Sequence, residues 1–459
     1  MSKRTDNNNF AGKIGAILAT AGSAVGLGNV WRFPTETGAN GGAAFLLIYI
    51  GFMLLLATPI MIAELTIGRH GQRDVLYAFR KMNGSKGNWA FMGYLPVVAG
   101  ILVLSYYAVV AGWTLEYAFR AGVNDFAGKT QEEFSNDFSQ FISDPLRPLT
   151  WIFLILAMTF GIVALGIQKG IESGAKIMMP ALFIFLAILV VCSLTLPDAS
   201  IGLTFLLKPD FSKVTQHTIL SAMGQSFFTL SVGICCLCTY ACYFRKDVDL
   251  FKDGLNVAVI DTVVAVMSGL IIFPAVYSVP GLSPDAGPSL VFITLPNVFQ
   301  RVFAGMPVLA YIFSLLFYLL LVMAALTSSI SMLEMSSSYF HKEKNMSRAK
   351  SALIMTAICM TLAIACSFSF GIWRDYTVFH LGFFDLFDFI IAKIFMPIGG
   401  LLICIYLGWS VKGDVVYNEV TNNRTITQPL YPLFMFIIRY FAPICILMIF
   451  ISELGLIDF

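Results

Sequence analysis

The chain has 459 residues, of which 58% are hydrophobic and 12% are charged, and its mean hydropathy is +0.80. Soluble domains carry about 25% charged residues, so the composition excludes a soluble globular protein and indicates a polytopic protein of the lipid bilayer. The formal net charge is +2 and no patch interleaves basic and aromatic residues, so we expect no nucleic-acid partner. No nucleophile–base set or nucleotide-binding loop indicates an enzyme. We expect one integral domain, 1–459.

Eleven apolar segments of roughly the length that spans a bilayer follow a polar start that we expect to be a short cytoplasmic tail. In chain order they are 12–37, 41–68, 90–120, 149–167, 173–196, 216–243, 253–281, 307–340, 350–371, 381–409 and 430–453. Most basic residues fall in loops that lie inside if the N-terminus is cytoplasmic. The positive-inside rule therefore predicts a multi-pass protein of the cell (inner) membrane, with a cytoplasmic N-terminus and an external C-terminus. The Asn-X-Ser/Thr triplets at Asn83, Asn345 and Asn423 fall on the inner side, which favours a prokaryotic membrane.

Two of the segments are interrupted by small and polar residues. The first carries glycines, an amide and a cation within 21–34, and the sixth carries a Ser, Thr and Gly cluster within 223–240. Glycine lowers helix propensity by about 1 kcal/mol relative to alanine, and a backbone group released in a bilayer needs another partner. Each segment alone could be a glycine-rich packing face, but two in register favour a binding site at the midplane. Five segments per half predict inverted repeats at 12–196 and 216–409, with an additional helix at 430–453.

Several separate motifs, in order along almost the whole chain, carry a resemblance. They are 21–34, Glu64 with Gly68 and Arg69, 105–107, 113–115, 224–240, 245–247, Gly287 and Pro288 with Phe292, and 324–329. The chain resembles the neurotransmitter:sodium symporter family, specifically its bacterial amino-acid branch. The resemblance implies an all-α integral membrane protein of the LeuT-type fold, a 5+5 inverted repeat with 11 transmembrane helices in which helices 1 and 6 are unwound at the midplane. It also implies sodium-coupled uptake of an L-amino acid by alternating access.

The resemblance further implies two sodium sites of oxygen ligands, which suit a hard cation. The first would use Ala24, Asn29, Thr229, Asp261 and the carboxylate of the substrate. The second would use Gly22, Val25, Ala324, Thr327 and Ser328. Chloride-dependent animal relatives hold a neutral asparagine at the position of Asp261, so the fixed carboxylate here predicts that chloride is not required. A charged residue within a span is functional by default, and whether Asp261 also carries a proton in antiport stays open.

The resemblance places the substrate between the two interrupted segments. Its amine would meet backbone carbonyls and Ser231, and its carboxylate would meet amides near Gly26 and the hydroxyl of Tyr107. The binding residues would be Ala24, Gly26, Val103, Tyr107, Val110, Phe228, Thr229, Ser231, Ile234, Ser328 and Met332. The side-chain pocket offers no carboxylate or cation, and an unpaired buried charge costs several kcal/mol. We therefore expect a hydrophobic or aromatic L-amino acid, and the sequence does not rank leucine, isoleucine, methionine, tyrosine and tryptophan.

The same resemblance implies gates on both sides of the substrate. Arg32 and Asp388 would form the outer gate, and Asp385 is the competing acid. On the inner side Phe10 would act as an aromatic plug, whereas Lys342 replaces an expected acid and Glu343 follows it.

Several features leave alternatives open. Gly170 and Pro180 have the spacing of an element that unwinds in some bacterial members to hydrate the second sodium site, but both residues are also common in membrane helices. The nine cysteines lie in apolar runs and indicate neither disulfides nor a metal site. Arg439 has no evident role, and the sequence leaves a homo-oligomer open. The alternative function is a receptor-like or weakly coupled amino-acid-binding membrane protein of the same fold.

Overall fold

The computed structural model describes residues 9–82, 88–196, 198–279 and 290–453. Over these residues it is helical, with one isolated β-bridge between Val378 and Leu381. The helices are α1 (Lys13–Ala24), α2 (Gly28–Ala39), α3 (Ala43–Gly71), α4 (Val75–Met82), α5 (Trp89–Gly122), α6 (Gln131–Ser143), α7 (Arg147–Ala164), α8 (Ile167–Leu194), α9 (Ala199–Leu207), α10 (Gln216–Thr229), α11 (Cys236–Ala241), α12 (Leu250–Tyr277), α13 (Leu290–Val302), α14 (Pro307–Lys342), α15 (Arg348–Phe368), α16 (Phe383–Ser410), α17 (Gly413–Val420) and α18 (Tyr431–Glu453).

Nine helices among the described residues are long and apolar enough to cross a membrane. The pair α1 and α2, bent by 54° at the break between them, is also long and apolar enough when taken as one span. The predicted segment at 216–243 forms two shorter helices, α10 and α11. The predicted segments thus all correspond to helices, and their bounds differ from the prediction by a few residues. Gly287, Pro288 and Asn83 lie outside the described residues, as do residues 1–8 of the polar start.

The burial of the helices distinguishes the centre of the bundle from its periphery. In the apolar stretch of α5, 72% of the residues are buried inside the protein, whereas in that of α8 only 28% are buried. In a bilayer an apolar side chain is as compatible with lipid as with protein. Hydropathy by itself therefore does not distinguish a helix at the centre of the bundle from one that faces lipid. We call the end of the molecule at which α1 begins the inner end, and the opposite end the outer end.

The break between α1 and α2 follows from local sterics. Val25 is extended, with φ −69° and ψ 109°, and Gly26 follows it before the chain becomes helical again. A Cβ atom at Gly26 would lie 2.5 Å from Ser328 Oγ and 3.2 Å from Tyr107 OH. Glycine therefore allows α14 and α5 to approach the broken backbone closely.

The break between α10 and α11 has left-handed backbone at three alternate residues. Ser231, Gly233 and Cys235 have φ of 51°, 96° and 59°, and a Cβ atom at Gly233 would lie 2.2 Å from the carbonyl oxygen of Met396. Left-handed backbone at a residue other than glycine costs about 1–2 kcal/mol, so this break needs external support. Glu64 supplies it, since its carboxylate accepts hydrogen bonds from Gly233 N at 2.7 Å and Cys238 N at 3.2 Å.

Candidate functional site: a cavity between two broken helices

A small cavity of about 60 Å³ lies where the two breaks meet. Its walls come from α1, α2, α5, α10, α11, α14 and α16. The predicted substrate residues all line this cavity except Val110, which lines a larger cavity on the outer side. The structure therefore brings together residues that lie more than 300 positions apart in the chain.

Sequence reasoning missed part of the lining. The further residues are Ser23, Leu27, Gly28, Tyr106, Cys236, Ser331, Met335, Ile391 and Met396. Two of them, Ser331 and Met335, follow the predicted Ser328 and Met332 by three residues on α14, so helical periodicity could have found them. The residues from α16 carry no such signal, because no motif indicates which face of that helix reaches the cavity.

The first turn of α2 and Tyr107 form one end of the small cavity. Gly26 N donates to Asn29 Oδ1 at 3.0 Å, and Leu27 N donates to Tyr107 OH at 3.4 Å. The N-terminus of a helix carries a partial positive charge, and the Tyr107 hydroxyl lies beside it. This end of the cavity can therefore bind a carboxylate.

A cluster of buried oxygen atoms surrounds Asp261 beside the cavity. Asn29 Nδ2 lies 2.8 Å from Asp261 Oδ1, 3.2 Å from the Asp261 carbonyl oxygen and 3.1 Å from Thr229 Oγ1. Thr229 Oγ1 lies 3.0 Å from Asp261 Oδ2, and Tyr49 OH lies 3.4 Å from the same atom. Asp261 is fully buried. The oxygen atoms of Asp261 and Thr229 carry one net negative charge and suit an alkali cation. Asn29 directs its amide nitrogen at them, while its Oδ1 accepts from Gly26 N, and predicted ligand Ala24 lines the adjoining cavity.

A second oxygen cluster lies where α1 ends against α14. The carbonyl oxygen of Val25 accepts from Thr327 Oγ1 at 3.5 Å and from Ser328 Oγ at 3.3 Å. Thr327 Oγ1 also lies 3.0 Å from the carbonyl oxygen of Ala324. A Cβ atom at Gly22 would lie 3.5 Å from Thr327 Cβ. The five residues predicted for the second sodium site are thus brought together, and they join the broken helix to α14.

The larger cavity, of about 430 Å³, lies on the outer side of the small one and shares Tyr107 and Phe228 with it. Arg32 lies 4.0 Å above the Phe228 ring, and its Nε is 4.0 Å from Glu36 Oε1. Asp388, the predicted partner of Arg32, lines the same cavity. Glu36 is an acid that sequence reasoning missed, although its i,i+4 spacing from Arg32 on a helix was a usable signal.

At the inner end, the chain before α1 packs into the bundle. Phe10 is 2% exposed and contacts the rings of Tyr240, Tyr243 and Phe244. Phe10 N donates to the Tyr243 carbonyl at 3.1 Å, and Ala11 N donates to Glu172 Oε2 at 2.7 Å. These contacts close the inner end below the small cavity.

A second contact at the inner end explains the unexpected Lys342. The carboxylate at this position comes from Glu343, whose Oε1 is 2.9 Å from Arg73 Nη2. Arg73 also donates to the Lys342 carbonyl at 2.8 Å. Arg73, in the loop after α3, thus binds the C-terminal end of α14, where the helix dipole favours a positive charge.

Glu419 of α17 lies at the centre of a third contact. Its carboxylate binds Arg69 Nε at 2.8 Å, His70 Nδ1 at 3.0 Å and Lys246 Nζ at 3.0 Å. Burial raises the pKa of Glu419, but the hydrogen bond with His70 and the charges of Arg69 and Lys246 outweigh this effect and lower the pKa to about 2. The Arg69 guanidinium also donates to backbone carbonyls of Val248 and Glu419. One carboxylate therefore ties α3, the loop before α12 and α17 together.

Two residues without a clear role in the sequence have a defined place. Arg439 Nε donates to the Gly408 carbonyl at 2.8 Å, at the end of α16. Gly170 and Pro180 both lie within α8, whose first turn, Ile167–Glu172, is a π-helix. The stretch between them is helical in this structure, so the unwinding that the sequence left open is not the conformation described here.

The chain matches the model of the sodium:neurotransmitter symporter family over residues 7–136 and 132–457. It belongs to this family. It is 34% identical over 450 residues to the uncharacterized sodium-dependent transporter YhdH of Bacillus subtilis, with 98% of each chain covered. It is 31% identical over 455 residues to an uncharacterized sodium-dependent transporter of Haemophilus influenzae, with 97% of this chain and 98% of that one covered.

A solved structure agrees with this assignment. The fold is similar to that of MhsT in its crystal structure with L-phenylalanine, with a TM-score of 0.88, 41% identity, and coverage of 97% of this chain and 99% of MhsT. This sodium:neurotransmitter symporter thus has the LeuT-type fold. It is a multi-pass, sodium-dependent membrane transporter and not an enzyme.

Proposed function

We propose that this transporter takes up a hydrophobic or aromatic L-amino acid by sodium symport across the cell (inner) membrane, without a chloride requirement. The observation that carries the proposal is the small cavity between the two breaks, with the Asp261 oxygen cluster beside it. In this proposal 12–196 and 216–409 form inverted repeats around that cavity, the N-terminus is cytoplasmic and the C-terminus is external. The inner and outer ends then face the cytoplasm and the exterior.

The first sodium would bind to Ala24, Asn29, Thr229 and Asp261, next to the carboxylate of the substrate. Since the substrate completes the coordination of the ion, each would strengthen the binding of the other, and linkage makes the effect reciprocal. The close approach of Asn29, Thr229 and Asp261 supports this arrangement, because three elements must stay together for the ligands to converge.

The second sodium would act on conformation. Its ligand Gly22 belongs to α1 and Val25 follows directly after that helix, whereas Ala324, Thr327 and Ser328 belong to α14. A bound ion would hold α1 against α14, and its loss would release α1 and open the inner end. A ligand shifts such an equilibrium only by its differential affinity for the two states, so sodium must bind this site more weakly when the inner end is open.

Two closures would alternate around the substrate. At the outer end, Arg32 would exchange its contact with Glu36 for Asp388 and close over Tyr107 and Phe228. At the inner end, Phe10 and the Arg73–Glu343 pair would separate when α1 moves. The volume of the outer cavity, about 430 Å³, and the packed inner end support an outward-facing arrangement of these residues.

Asp261 would make chloride unnecessary. Its carboxylate supplies the negative charge that compensates bound sodium, and it is fully buried beside the predicted ligands. A neutral residue at the same position would leave sodium uncompensated in a region of low dielectric, where charges interact strongly.

The test is uptake of radiolabelled amino acids into proteoliposomes, with sodium, potassium, chloride and proton gradients varied one at a time. Symport predicts accumulation that follows the sodium gradient and persists when gluconate replaces chloride. Accumulation without a sodium gradient would refute the coupling, and sodium-dependent binding without accumulation would favour a receptor-like protein. Dependence on an opposing proton gradient would assign proton antiport in addition.

The matched variant is Asp261→Asn, which keeps the shape of the side chain and removes its charge. We expect sodium affinity to fall at least tenfold, or chloride to become stimulatory, because the compensating charge is lost. Unchanged sodium affinity together with unchanged chloride insensitivity would contradict the role of the carboxylate.

A further inference from the structure

The loop between α15 and α16, residues 369–382, presents apolar side chains to its surroundings. It lies at the outer end of the molecule, because Phe384 and Asp388, which follow it directly, line the outer cavity. Four of its apolar or aromatic side chains are well exposed, namely Phe379 at 86%, Tyr376 at 68%, Ile372 at 56% and Val378 at 41%. Single exposed apolar residues are normal on a protein surface, but a group in one short loop indicates a contact with something apolar.

The tip of the loop is a tight turn. Val378 N donates to the Leu381 carbonyl at 2.9 Å, and Leu381 N donates to the Val378 carbonyl at 3.0 Å. Between them Phe379 and His380 have φ of 52° and 64°. Glycine, asparagine and aspartate are the usual residues in such a turn, because they adopt left-handed backbone at low cost. Phe379 therefore combines an unfavourable backbone with an exposed ring, and removal of the ring from water would offset that cost.

The base of the loop is fixed to both neighbouring helices. The ring of Trp373 lies 5.3 Å from that of Phe368 and 5.8 Å from that of Phe383, between ring centroids. Trp373 N also donates to the Phe368 carbonyl at 2.8 Å. A Cβ atom at Gly371 would lie 2.4 Å from the carbonyl oxygen of Ser143 in α6. The position of the loop is therefore set by the ends of α15 and α16.

The length of α15 places the loop at the edge of the bilayer. The helix has 21 residues, which at about 1.5 Å per residue gives about 31 Å, close to the hydrocarbon thickness of about 30 Å. In its apolar stretch only 39% of the residues are buried inside the protein, so most of that stretch faces lipid. Such a helix ends where the hydrocarbon meets the headgroups, and the loop begins there.

The composition of the loop also fits this level of the bilayer. Trp373 and Tyr376 are residues that concentrate at the interface between lipid and water. The exposed Arg374 can bind a lipid phosphate through its guanidinium group. A stable protein partner is less suitable, because a protein interface uses about 20–30 residues on each side, whereas the exposed apolar group here has four members.

We propose that the 369–382 loop inserts the rings of Phe379 and Tyr376 among the lipid headgroups at the outer surface of the membrane and thereby anchors the start of α16. None of the residues Phe383–Phe389, the first turns of α16, is buried, so packing within the protein holds this segment weakly. The anchor fixes the level of Asp388, which lies in this segment and lines the outer cavity. The proposal does not depend on which substrate the transporter carries.

The experiment measures the surroundings of position 379 with a nitrobenzoxadiazole fluorophore on Phe379→Cys in the full chain. A Cys192→Ser background is used, because Cys192 is half-buried whereas the other cysteines are buried. The protein is reconstituted into phosphatidylcholine and phosphatidylglycerol vesicles, and two quenchers are compared: a lipid with a nitroxide near the headgroup, and iodide in the water. The control is the same label on Glu132→Cys, at an exposed position in the first turn of the polar helix α6.

The two labels should respond in opposite ways. The lipid quencher should reduce the emission at position 379 about twofold or more relative to position 132, because an interfacial ring lies at the level of the nitroxide. Iodide should quench the label at position 132 more strongly.

A second measurement needs no label. Phe379→Ser removes the ring, whereas Phe379→Trp keeps an interfacial ring, and neither residue changes the demand for left-handed backbone. In lipid nanodiscs, amide hydrogen exchange over 383–389 should become several-fold faster in Phe379→Ser and stay unchanged in Phe379→Trp. Exchange in α6 should be the same in both variants.

Each other outcome overturns the proposal. Equal iodide quenching of both labels, with no effect of the lipid quencher, would place the loop in water. A label at position 379 that neither quencher reaches would mean that a second copy of the chain covers the loop. Lipid quenching with unchanged exchange in Phe379→Ser would overturn the anchoring of α16. Since these measurements involve no amino acid and no ion gradient, their failure is distinct from a failure of the proposed function.

Discussion

The contact around Glu419 allows a quantitative prediction about stability. Glu419 is 9% exposed and binds Arg69, His70 and Lys246. Glu419→Gln would leave the Arg69 side chain, which is 1% exposed, without its counter-charge. The removal of one partner from a buried ion pair costs about 3–5 kcal/mol.

The pKa of Glu419 gives a second measure of the same energy. It falls from 4.5 to about 2 in the folded protein, and each pKa unit corresponds to about 1.4 kcal/mol, so the charged form stabilises the fold by about 3–4 kcal/mol. For a depressed pKa this contribution is complete above the unfolded value and is lost as the pH falls through the folded value. Since the unfolded carboxyl titrates near pH 4.5, about a quarter of the stabilisation is lost at pH 4.

Thermal unfolding of the purified protein in detergent would test the prediction. A loss of about 3–4 kcal/mol in a chain of this size corresponds to a midpoint lower by about 3–6 °C. The comparison is made at pH 7 and pH 4, with Glu419→Gln as the only change. Asp247→Asn is the matched control at the inner end, because Asp247 forms an exposed pair with Arg245, and such a pair contributes less than about 1 kcal/mol.

Two results would refute this reasoning. The first is an equal midpoint for Glu419→Gln and the parent protein at pH 7. The second is a difference between them that grows, rather than narrows, as the pH is lowered from 7 to 4.

Three further predictions concern the site and the inner end. Gly26→Ala should abolish sodium-dependent uptake in a folded protein, because the new methyl group would lie 2.5 Å from Ser328 Oγ; retained uptake would contradict the close approach. Glu64→Gln should weaken amino-acid binding at least tenfold, since an amide offers one acceptor where the carboxylate accepts two backbone N–H groups, and unaltered affinity in a scintillation binding assay would speak against that support. Glu343→Gln should speed amide hydrogen exchange at the ends of α3 and α14 several-fold, because the contact that holds these ends together is lost. The thermal midpoint should change little, because the partner Arg73 is half-exposed and such pairs contribute little to stability. Equal exchange rates in the variant and the parent protein would exclude a closing role for the pair.

Much of the architecture could be predicted from local patterns in the chain. The positions of the spans follow from hydropathy, because a bilayer requires long runs of apolar residues with all backbone groups hydrogen-bonded within the helix. The two breaks follow from glycine and small polar residues inside such runs, and the structure places them at 25–26 and 230–235. The substrate residues implied by the family resemblance line the small cavity with the exception of Val110, although the lining also includes residues that were not predicted.

The polar contacts between helices could not be predicted in the same way. Glu419 meets Arg69 across 350 positions of the chain, and the contact between Ser23 and Cys236 spans 213. Such contacts depend on how helices rotate and tilt against one another, and apolar periodicity is weak in helices that are apolar on every face. The partner of Arg32 is Glu36, which lies one helical turn away in the chain. The choice among Glu36, Asp385 and Asp388 nevertheless depends on the shape of the outer cavity.

The sequence by itself therefore determined the class of protein, the location of its spans and breaks, and the chemical types that line the site. The tertiary structure alone decided which of those groups are paired and which carboxylate closes the inner end. The physical reason is that propensity and hydropathy act along the chain, over one or two helical turns. Hydrogen bonds and ion pairs between helices form only when the donor–acceptor distance is correct to within a few tenths of an ångström. Such distances are set only when the whole bundle packs.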